Sequence, residues 1–529
     1  MFATEQGHIL ERLARASECE SSVRLVTPRG EHETTFGALW QLSSKMKRAF
    51  ETSVPSGRVA GILTPAAEMI AGLVGCLRAG RDFVSLPLPG RGQDPPQYAL
   101  QIQQIVEQSG AVAVMMEAVN EAALRPVFAP VNCPLLVSEQ LAESAPADRG
   151  RDWDPGELIQ FSSGTTGTPK GVRLSGAAIG ACVRGLLSAL HTGEMGPEVF
   201  CSWIPLSHDM GLIGGLLTTW AGSTLCPHRY VAISPELFVA RPSLWLECCS
   251  EEAATVTTAP TFAYQIASRQ LPRGPLLGLG KLRAAIVGAE PIAQETLRAF
   301  ASAASGHGFR ETALCPAYGL AEASLAVSMV PPEEYWSTRT VSVDGQTATY
   351  VSCGRVLDCV TVDAPDVSAG AGPIRVAGPA LCSGFIPRRD LEPWLDTRDL
   401  GVLAEGELVV TGRSDDLLCL AGRNLFAWEL ERAADGSPAI RAGNSAAVAD
   451  GRGRYVLLFE PRSSDEGVGD DAVRDIRIRV AAVAGIGPSG VGCLPRGTLP
   501  KTPSGKMRRN RIAADLDKFI DSCVSYKEF

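Results

Sequence analysis

The chain has 529 residues, too many for one ordinary core, so we expect a large domain and at least one smaller one. A net charge of −9 at pH 7 gives no basis for binding a nucleic-acid backbone. With 45% hydrophobic and 20% charged residues, the composition is typical of a folded globular protein and excludes a disordered one.

The sequence gives no sign of export or of membrane insertion. The first thirteen residues lack the unbroken apolar stretch of a signal peptide, and no window approaches the roughly 20 apolar residues of a membrane helix. Fifteen scattered cysteines are typical of reduced, mostly buried thiols. The adjacent pair Cys248 and Cys249 lacks the spacing of metal ligands, so zinc is not expected. We therefore predict a cytoplasmic protein with no membrane partner.

Short apolar strands alternate with helical patterns through the first few hundred residues. The pattern predicts strands at residues 59–63, 83–86 and 111–116, and a helix over residues 66–79. Such alternation indicates an α/β fold in which helices cover parallel sheets, and ligands in these folds lie beyond the carboxyl ends of the strands.

A loop rich in glycine and hydroxyl residues, residues 161–171, follows a predicted strand at residues 158–160. Its backbone N–H groups, hydroxyls and one lysine are suited to bind phosphates. A flexible linker is the alternative, but the preceding strand and the Pro169–Lys170 pair argue against it. The spacing is not that of a Walker A loop, which makes a P-loop phosphohydrolase a distant alternative. The candidate ATP-binding residues here are Ser162, Ser163, Gly164, Thr165, Thr166, Gly167 and Lys170.

Two further features follow along the chain. A predicted buried strand at residues 282–287 runs into the turn Gly288, Ala289, Glu290 and Pro291, where backbone groups could meet a ligand. After a last strand at residues 408–410 the pattern becomes a small mixed unit, with a helix at 428–433, strands at 446–448 and 455–459, and helical spacing over 473–483. We predict two domains, residues 1–412 and 413–529.

Six segments, in this order along the chain, resemble the motifs of the adenylate-forming superfamily, which includes acyl-CoA synthetases, peptide-synthetase adenylation domains and fatty acyl-AMP ligases. They are residues 161–171, 203–211, 318–322, 397–401, 412–415 and 499–506. The resemblance implies a large N-terminal domain of helix-covered β-sheets and a small mobile α+β C-terminal domain. It also implies activation of a carboxylic acid by ATP to acyl-AMP with release of pyrophosphate, followed by transfer to a thiol.

The resemblance assigns roles to residues of these motifs. An acid attacking the α-phosphate of ATP brings like charges together, so cations must offset them. Glu322 would hold Mg²⁺, and Lys506 would bridge the carboxylate and the α-phosphate. Taken singly, such an acid is more often a solvated charge or a helix cap, and a histidine such as His208 is more often structural. The remaining implied positions are Asp399 and Arg413 at the ribose, Gly288 to Pro291 with Tyr318 and Gly319 at the adenine, His208 at the carboxylate end, Asp209, Met210, Gly211, Trp220, Thr261 and Phe262 at the acyl pocket, and Asp415 at the hinge.

Several details are most similar to fatty acyl-AMP ligases: residues 208–215, 259–264, 288–291, Ala321 and residues 351–355. That branch implies transfer to the phosphopantetheine of an acyl carrier protein in secondary metabolism, such as polyketide or nonribosomal peptide biosynthesis. The segment between Ser328 and Val351, which hinders the use of CoA in that branch, is shortened, so a CoA ligase stays open. Arg398, where glycine is usual, keeps a nucleotide-binding pseudoenzyme open. Trp220 and Arg229 suggest a short or polar acyl tunnel, and the acid itself is not predicted.

Overall fold

The structure is a computed structural model that describes most of the chain. The described residues are 8–89, 95–131, 133–143, 155–162, 169–194, 196–343, 346–388, 392–420, 423–451, 453–463, 468–501 and 507–529, with the backbone alone at 162, 346, 419, 423 and 424.

A twisted sheet of thirteen described strands runs through the larger part of the molecule. Its centre is parallel, and antiparallel strands extend both ends. One of the central parallel strands, Val256–Pro260, is rich in β-branched residues and is buried along its whole length, as expected in the middle of a parallel sheet. In spatial order the strands are Thr361–Asp363, Gly372–Ala377, Leu395–Ala404, Glu407–Arg413, Arg355–Val356, Ala326–Met329, Leu314–Gly319, Ala284–Gly288, Val256–Pro260, Glu198–Ser202, His228–Ile233, Ser21–Thr27 and Gly30–Thr34.

A second sheet of seven described strands lies across a shared core. Its order is Gly384–Ile386, Lys170–Leu174, Leu158–Ser162, Phe83–Leu86, Arg58–Ile62, Ala111–Met116 and Leu135–Val137. The helices Phe36–Ser53, Ala67–Arg78 and Gly176–Ala189 pack in one apolar cluster with side chains of both sheets. Hydroxyl caps start two of these helices, because Thr35 accepts from the Ala38 amide and Ser175 accepts from the Ala178 amide.

The remaining helices lie either on the outer faces of the sheets or against the shared core, which also contains side chains of Ile9–Ala16 and of the π-helix Met210–Leu217. Those on the far face of the large sheet, including Leu244–Glu251, Thr261–Gln270 and Gln294–Ser305, form a second apolar cluster. The other helices of the larger part are Ile9–Ala16, Pro95–Ser109, Ala118–Phe128, Ser138–Glu143, the π-helix Met210–Leu217, Thr218–Gly222 and Pro235–Ala240.

The last part of the chain has its own core. A four-stranded sheet, Ile440–Ala449, Tyr455–Pro461, Gly490–Cys493 and Ser525–Glu528, packs against the helices Ala427–Asp435 and Asp470–Ala484. In the chain, the short helices Arg509–Ala514 and Leu516–Asp521 come between the strands Gly490–Cys493 and Ser525–Glu528. The hairpin Leu417–Leu420 with Arg423–Phe426 precedes this unit. The predicted fold class, a large α/β part with a smaller α+β part, is confirmed.

The hairpin Thr338–Val343 with Gln346–Val351 occupies the segment predicted to be shortened. It packs on the large sheet and also on the smaller part, since Tyr350 shares a cluster with Phe426 and Trp428. The Tyr350 and Trp428 rings are 6.2 Å apart, and the Tyr350 hydroxyl lies 3.4 Å from Glu429 Oε1.

The predicted elements named above are confirmed, with boundaries shifted by a few residues. Every cysteine whose side chain is described is a free thiol. Within the described ranges, no helix is both long and apolar enough to cross a membrane.

Candidate active site

A cleft of about 1890 Å³ opens beyond the carboxyl ends of the central parallel strands. The larger part supplies one wall, and residues of the smaller part, such as Lys501 and Arg509, supply the other. This is the position that the α/β architecture predicts for a ligand site.

The turn after the strand Ala284–Gly288 lines the cleft. Gly288, Ala289, Glu290 and Pro291 all face it, as predicted. A side chain at Gly288 would bring Cβ to 3.0 Å from the Ala317 carbonyl, so the close approach to the next strand favours glycine. Glu290 accepts a hydrogen bond at 3.2 Å from the amide of Phe262, which ties this turn to the neighbouring strand end.

Asp399 lies at the centre of a polar cluster on the same cleft. Its strand pairs with Glu407–Arg413 so that Asp399 and Arg413 are opposite each other, and Arg413 Nε lies 3.7 Å from Asp399 Oδ1. The Tyr318 hydroxyl donates to Asp399 Oδ2 at 2.6 Å. Burial and then the nearby Asp399 charge raise the pKa of Tyr318 well above its usual value, so this hydroxyl stays a donor. The structure thus brings these three predicted residues together on one surface of the cleft.

Glu322 and Lys170 form an ion pair on the cleft. The Lys170 Nζ–Glu322 Oε1 distance is 3.0 Å, and the ammonium lies 4.0 Å from the centre of the Phe385 ring. Glu322 lies in the short 3₁₀ turn Ala321–Ala323 that follows the strand Leu314–Gly319, and Gly319 has no room for a side chain because any Cβ would lie 1.9 Å from the Leu325 carbonyl. Both side chains remain partly exposed, so the carboxylate is accessible to a ligand.

His208 and Asp209 begin the π-helix and also line the cleft. His208 Nδ1 lies 2.5 Å from Asp209 Oδ1, and the Met210 amide donates to Asp209 Oδ1 at 2.7 Å. These contacts fix the ring plane, as expected of a residue that orders a site. Gly211 does not line the cleft, because it packs on the Pro205 carbonyl, 2.3 Å from the place a Cβ would take.

An apolar arm of the cleft runs under the π-helix. Of the predicted pocket residues, Met210, Thr261 and Phe262 line it. The sequence reasoning missed the other side chains of the arm, which come from neighbouring strands and from one helix end: Leu186, Leu190, Phe200, Thr258, Ile286 and Met329. Phe200, Thr258 and Ile286 are the middle residues of three parallel strands, so the rule that ligands lie beyond strand ends could not have indicated them.

The structure corrects two predictions about the tunnel. Trp220 does not reach the cleft. It is fully buried on the other side of its helix, stacked on Phe36 at 5.0 Å, with its indole N–H donating to Ser17 Oγ. Arg229 is equally remote, because its guanidinium is paired with Glu33 and Glu252 at the far end of the large sheet. Neither residue can shorten the tunnel or bind a polar acid.

Several predicted residues lie outside what the structure describes. They are Ser163, Gly164, Thr165, Thr166, Gly167, Lys506 and the side chain of Ser162. The flanking residues Lys501 and Met507 pair as an antiparallel bridge, and both line the cleft. The predicted hinge residue Asp415 is in the turn Ser414–Asp416, next to Asp416 on the cleft.

The comparisons with known proteins agree with this geometry. The sequence model of the AMP-binding enzyme family matches residues 14–386. The medium-chain-fatty-acid–[acyl-carrier-protein] ligase JamA of Moorena producens is 28% identical over 518 residues, covering 87% of this chain and 85% of that protein. The 4-hydroxyphenylalkanoate adenylyltransferase of Mycobacterium marinum is 28% identical over 561 residues, covering 92% and 86%. Among solved structures, one from a study of fatty acyl-adenylate ligases of E. coli and L. pneumophila superposes with a TM-score of 0.85 at 25% identity, covering 98% of this chain and 99% of that one.

Proposed function

Because the chain belongs to the AMP-binding enzyme family, and is therefore an adenylate-forming ligase that activates an acid as its acyl-AMP, we propose that it passes the acyl group to the phosphopantetheine thiol of an acyl carrier protein. One observation carries the assignment of the site: the Lys170–Glu322 pair and the Tyr318–Asp399–Arg413 cluster converge on one cleft that also has an apolar arm. A nucleotide, its phosphates and an acyl chain need these three environments side by side.

The cluster around Asp399 suits a ribose. A carboxylate accepts hydrogen bonds from two sugar hydroxyls, provided that its own position is fixed. Tyr318 and Arg413 hold it from two sides, and the glycine-containing turn at 288 leaves room for a flat base against the backbone. In the proposal, Asp399 and Arg413 bind the ribose, and Gly288 to Pro291, Tyr318 and Gly319 border the adenine.

Glu322 suits a magnesium ion bound together with substrate phosphates. Mg²⁺ usually takes only one or two protein carboxylates and keeps several waters. The described residues agree with this, since they contain no cluster of three or more acidic, histidine or cysteine ligands, while Glu322 is accessible from the cleft. Bound Mg²⁺ would offset phosphate charge. Lys170 holds the Glu322 side chain toward the cleft and adds a positive charge there.

The chemical step needs positioning more than proton transfer. A carboxylic acid is already ionised at neutral pH, so His208 has no proton to remove from it. One carboxylate oxygen forms a bond to the α-phosphorus, the bond from that phosphorus to the bridging oxygen of pyrophosphate breaks, and pyrophosphate leaves with the electron pair. In the proposal, Lys506 neutralises charge on both reacting groups, while His208 and Asp209 order the carboxylate end.

Transfer to a carrier protein is the finer part of the proposal. It is supported by the name of the JamA relative, which acts on an acyl carrier protein, and by the resemblance to fatty acyl-AMP ligases. The thioester forms when the carrier thiol attacks the acyl carbonyl and AMP leaves. The smaller part would rotate about Asp415 between the two steps, withdrawing Lys506 and admitting the thiol.

Two assays test the proposal. Pyrophosphate release is measured with ATP, Mg²⁺ and a panel of short, long, aromatic, amino-bearing and dicarboxylic acids. For an active acid, the acyl product is then measured with free CoA and with a phosphopantetheine-loaded carrier protein, with the unloaded carrier as control. We expect acid-dependent release and mass gain on the loaded carrier alone. Equal acylation of CoA would refute carrier selectivity, and release that is independent of any acid would refute the site assignment.

A further inference from the structure

The apolar arm of the cleft ends at a thin floor made by Leu190 and Phe200. Behind it lies a separate cavity of only about 10 Å³. Among the lining residues that the structure describes, Leu190 and Phe200 alone belong to both spaces. The floor is therefore one side chain thick.

Buried charges back this floor. The side chains of Glu198 and Arg283 are 4% and 6% exposed and form an ion pair behind Phe200. Arg283 Nη1 also donates to the Leu190 carbonyl at 2.6 Å, so the position of the floor is tied to the pair. His228 lines the same small cavity, and burial lowers its pKa below the usual value. An alkyl chain pushed through the floor would lie against these polar groups, which is unfavourable because it would disturb their hydrogen bonds.

We propose that Leu190 and Phe200 set the maximum length of the acid that this enzyme activates. The inference rests on the proposed adenylation in the same cleft and names its substrate class: acids with an apolar tail that ends at the floor. Acids shorter than this limit gain apolar contact with each added methylene group. With a longer acid the tail must displace Leu190 and Phe200, so each further methylene group weakens binding and lowers activity.

The helix end offers a matched pair of variants. Leu190 lines both spaces, whereas Leu187, three residues earlier, lines the small cavity alone. Both are buried leucines, so Leu190→Ala and Leu187→Ala remove the same group from the same region. Only Leu190→Ala and Phe200→Ala join the two spaces, which gives the arm room for several more carbons. The buried Glu198–Arg283 ion pair limits how many further carbons the enlarged arm can accept.

The test uses straight-chain acids from butanoic to octadecanoic acid, scored by kcat/KM for pyrophosphate release. For the wild type we expect a sharp maximum, with a fall of about tenfold or more for each methylene group beyond it. Leu190→Ala and Phe200→Ala should move the maximum to longer acids, and Leu187→Ala should leave it in place. Thermal unfolding of each variant identifies any that fail to fold.

Acyl-sulfamoyl adenosines of the same lengths are stable analogues of acyl-AMP. Their affinities, measured by calorimetry without turnover, should show the same preferred length and the same shifts in the variants. A wild-type affinity and rate that rise steadily up to octadecanoic acid would overturn the inference. So would an unchanged maximum in a folded Phe200→Ala or Leu190→Ala enzyme, or an equal shift in Leu187→Ala. Failure of the proposed function is a distinct result: no acid of any length would cause pyrophosphate release, and no analogue would bind.

Discussion

Replacing Tyr318 by phenylalanine tests the ribose cluster with the loss of one oxygen atom. The ring stays, so its packing on the cleft wall is kept. The Asp399 carboxylate loses a hydrogen bond of 2.6 Å, while its contact with Arg413 at 3.7 Å remains. If Asp399 binds the ribose, a carboxylate that is less well fixed should weaken ATP binding.

The structure sets the size of this effect. A hydrogen bond to a charged group contributes about 1.5–3 kcal/mol. Asp399 is 9% exposed and faces an open cleft, so water can replace part of the lost bond. We therefore expect the lower end of that range, an increase of about tenfold in the KM for ATP. The KM for the acid should change little, because the apolar arm lies on other residues.

ATP titrations of acid-dependent pyrophosphate release measure both constants. Tyr264→Phe is a matched control, since that hydroxyl also donates a buried hydrogen bond, at 3.0 Å to the Ile286 carbonyl, but its ring does not line the cleft. Tyr264→Phe should lower stability and leave the KM for ATP unchanged. The reasoning is refuted if Tyr318→Phe leaves the KM for ATP unchanged, or raises the KM for the acid equally.

Four other changes have defined outcomes. Lys506→Ala should abolish acyl-AMP formation and spare thiolation of supplied acyl-AMP; equal loss in the two half-reaction assays would contradict this division. Glu322→Gln should lower kcat for pyrophosphate release by about a hundredfold and raise the Mg²⁺ concentration required, as measured by magnesium titration, and an unchanged magnesium dependence would remove Glu322 from the metal site. Trp220→Ala should lower the free energy of unfolding by about 3–5 kcal/mol in urea titrations without changing the preferred acid, whereas a changed preference would return Trp220 to the tunnel. Burial raises the pKa of Asp435 from 3.8 to about 6, so the folded state binds this proton more tightly than the unfolded state, and the stability contributed by the group is lost as pH rises from about 4 to about 6, by about 3 kcal/mol. Asp435→Asn should flatten that part of the pH dependence in urea unfolding, and an unchanged slope would count against the raised pKa.

Local patterns were sufficient for most of the fold, whereas the polar half of the site was indicated by motifs that resemble those of the superfamily. Strands and helices could be read from the periodicity of apolar residues, and the ends of parallel strands share one edge of the sheet. The turn at Gly288 follows from that rule, whereas Tyr318 was indicated only by the resemblance of residues 318–322 to a superfamily motif. Asp399 and Arg413 were also indicated by resemblance alone, and the antiparallel pair that brings them opposite each other is seen only in the structure.

The apolar half of the site was less predictable, for two physical reasons. The π-helix Met210–Leu217 changes the number of residues per turn, so the face on which Trp220 lies cannot be counted from His208 with the α-helical period. Arg229 depends on long-range pairing, because its partners Glu33 and Glu252 are distant in sequence and meet it only when the strands of the large sheet assemble. A local sequence pattern therefore predicts neither the direction of the Trp220 side chain nor the ion pairs of Arg229.

Arg398 shows how a departure from the family pattern can leave the chemistry intact. Its φ of +61° is in the left-handed region, which explains why glycine is usual at this position. An arginine in this conformation costs about 1–2 kcal/mol of stability. Two hydrogen bonds hold the backbone there, one from the Arg398 amide to Asp396 and one from the Ser414 hydroxyl to the Arg398 carbonyl.

Arg398 lines the cleft, but its side chain pairs with Asp415 and not with Asp399. Its guanidinium lies 3.5 Å from Asp415, the proposed hinge residue, and is about half exposed, while Asp399 keeps its contacts with Tyr318 and Arg413. An exposed ion pair of this kind contributes at most about 1 kcal/mol, too little to hold the hinge in one position. The substitution that suggested a pseudoenzyme therefore leaves the contacts of the Asp399 carboxylate in place, and Arg398 gives no support to an inactive protein.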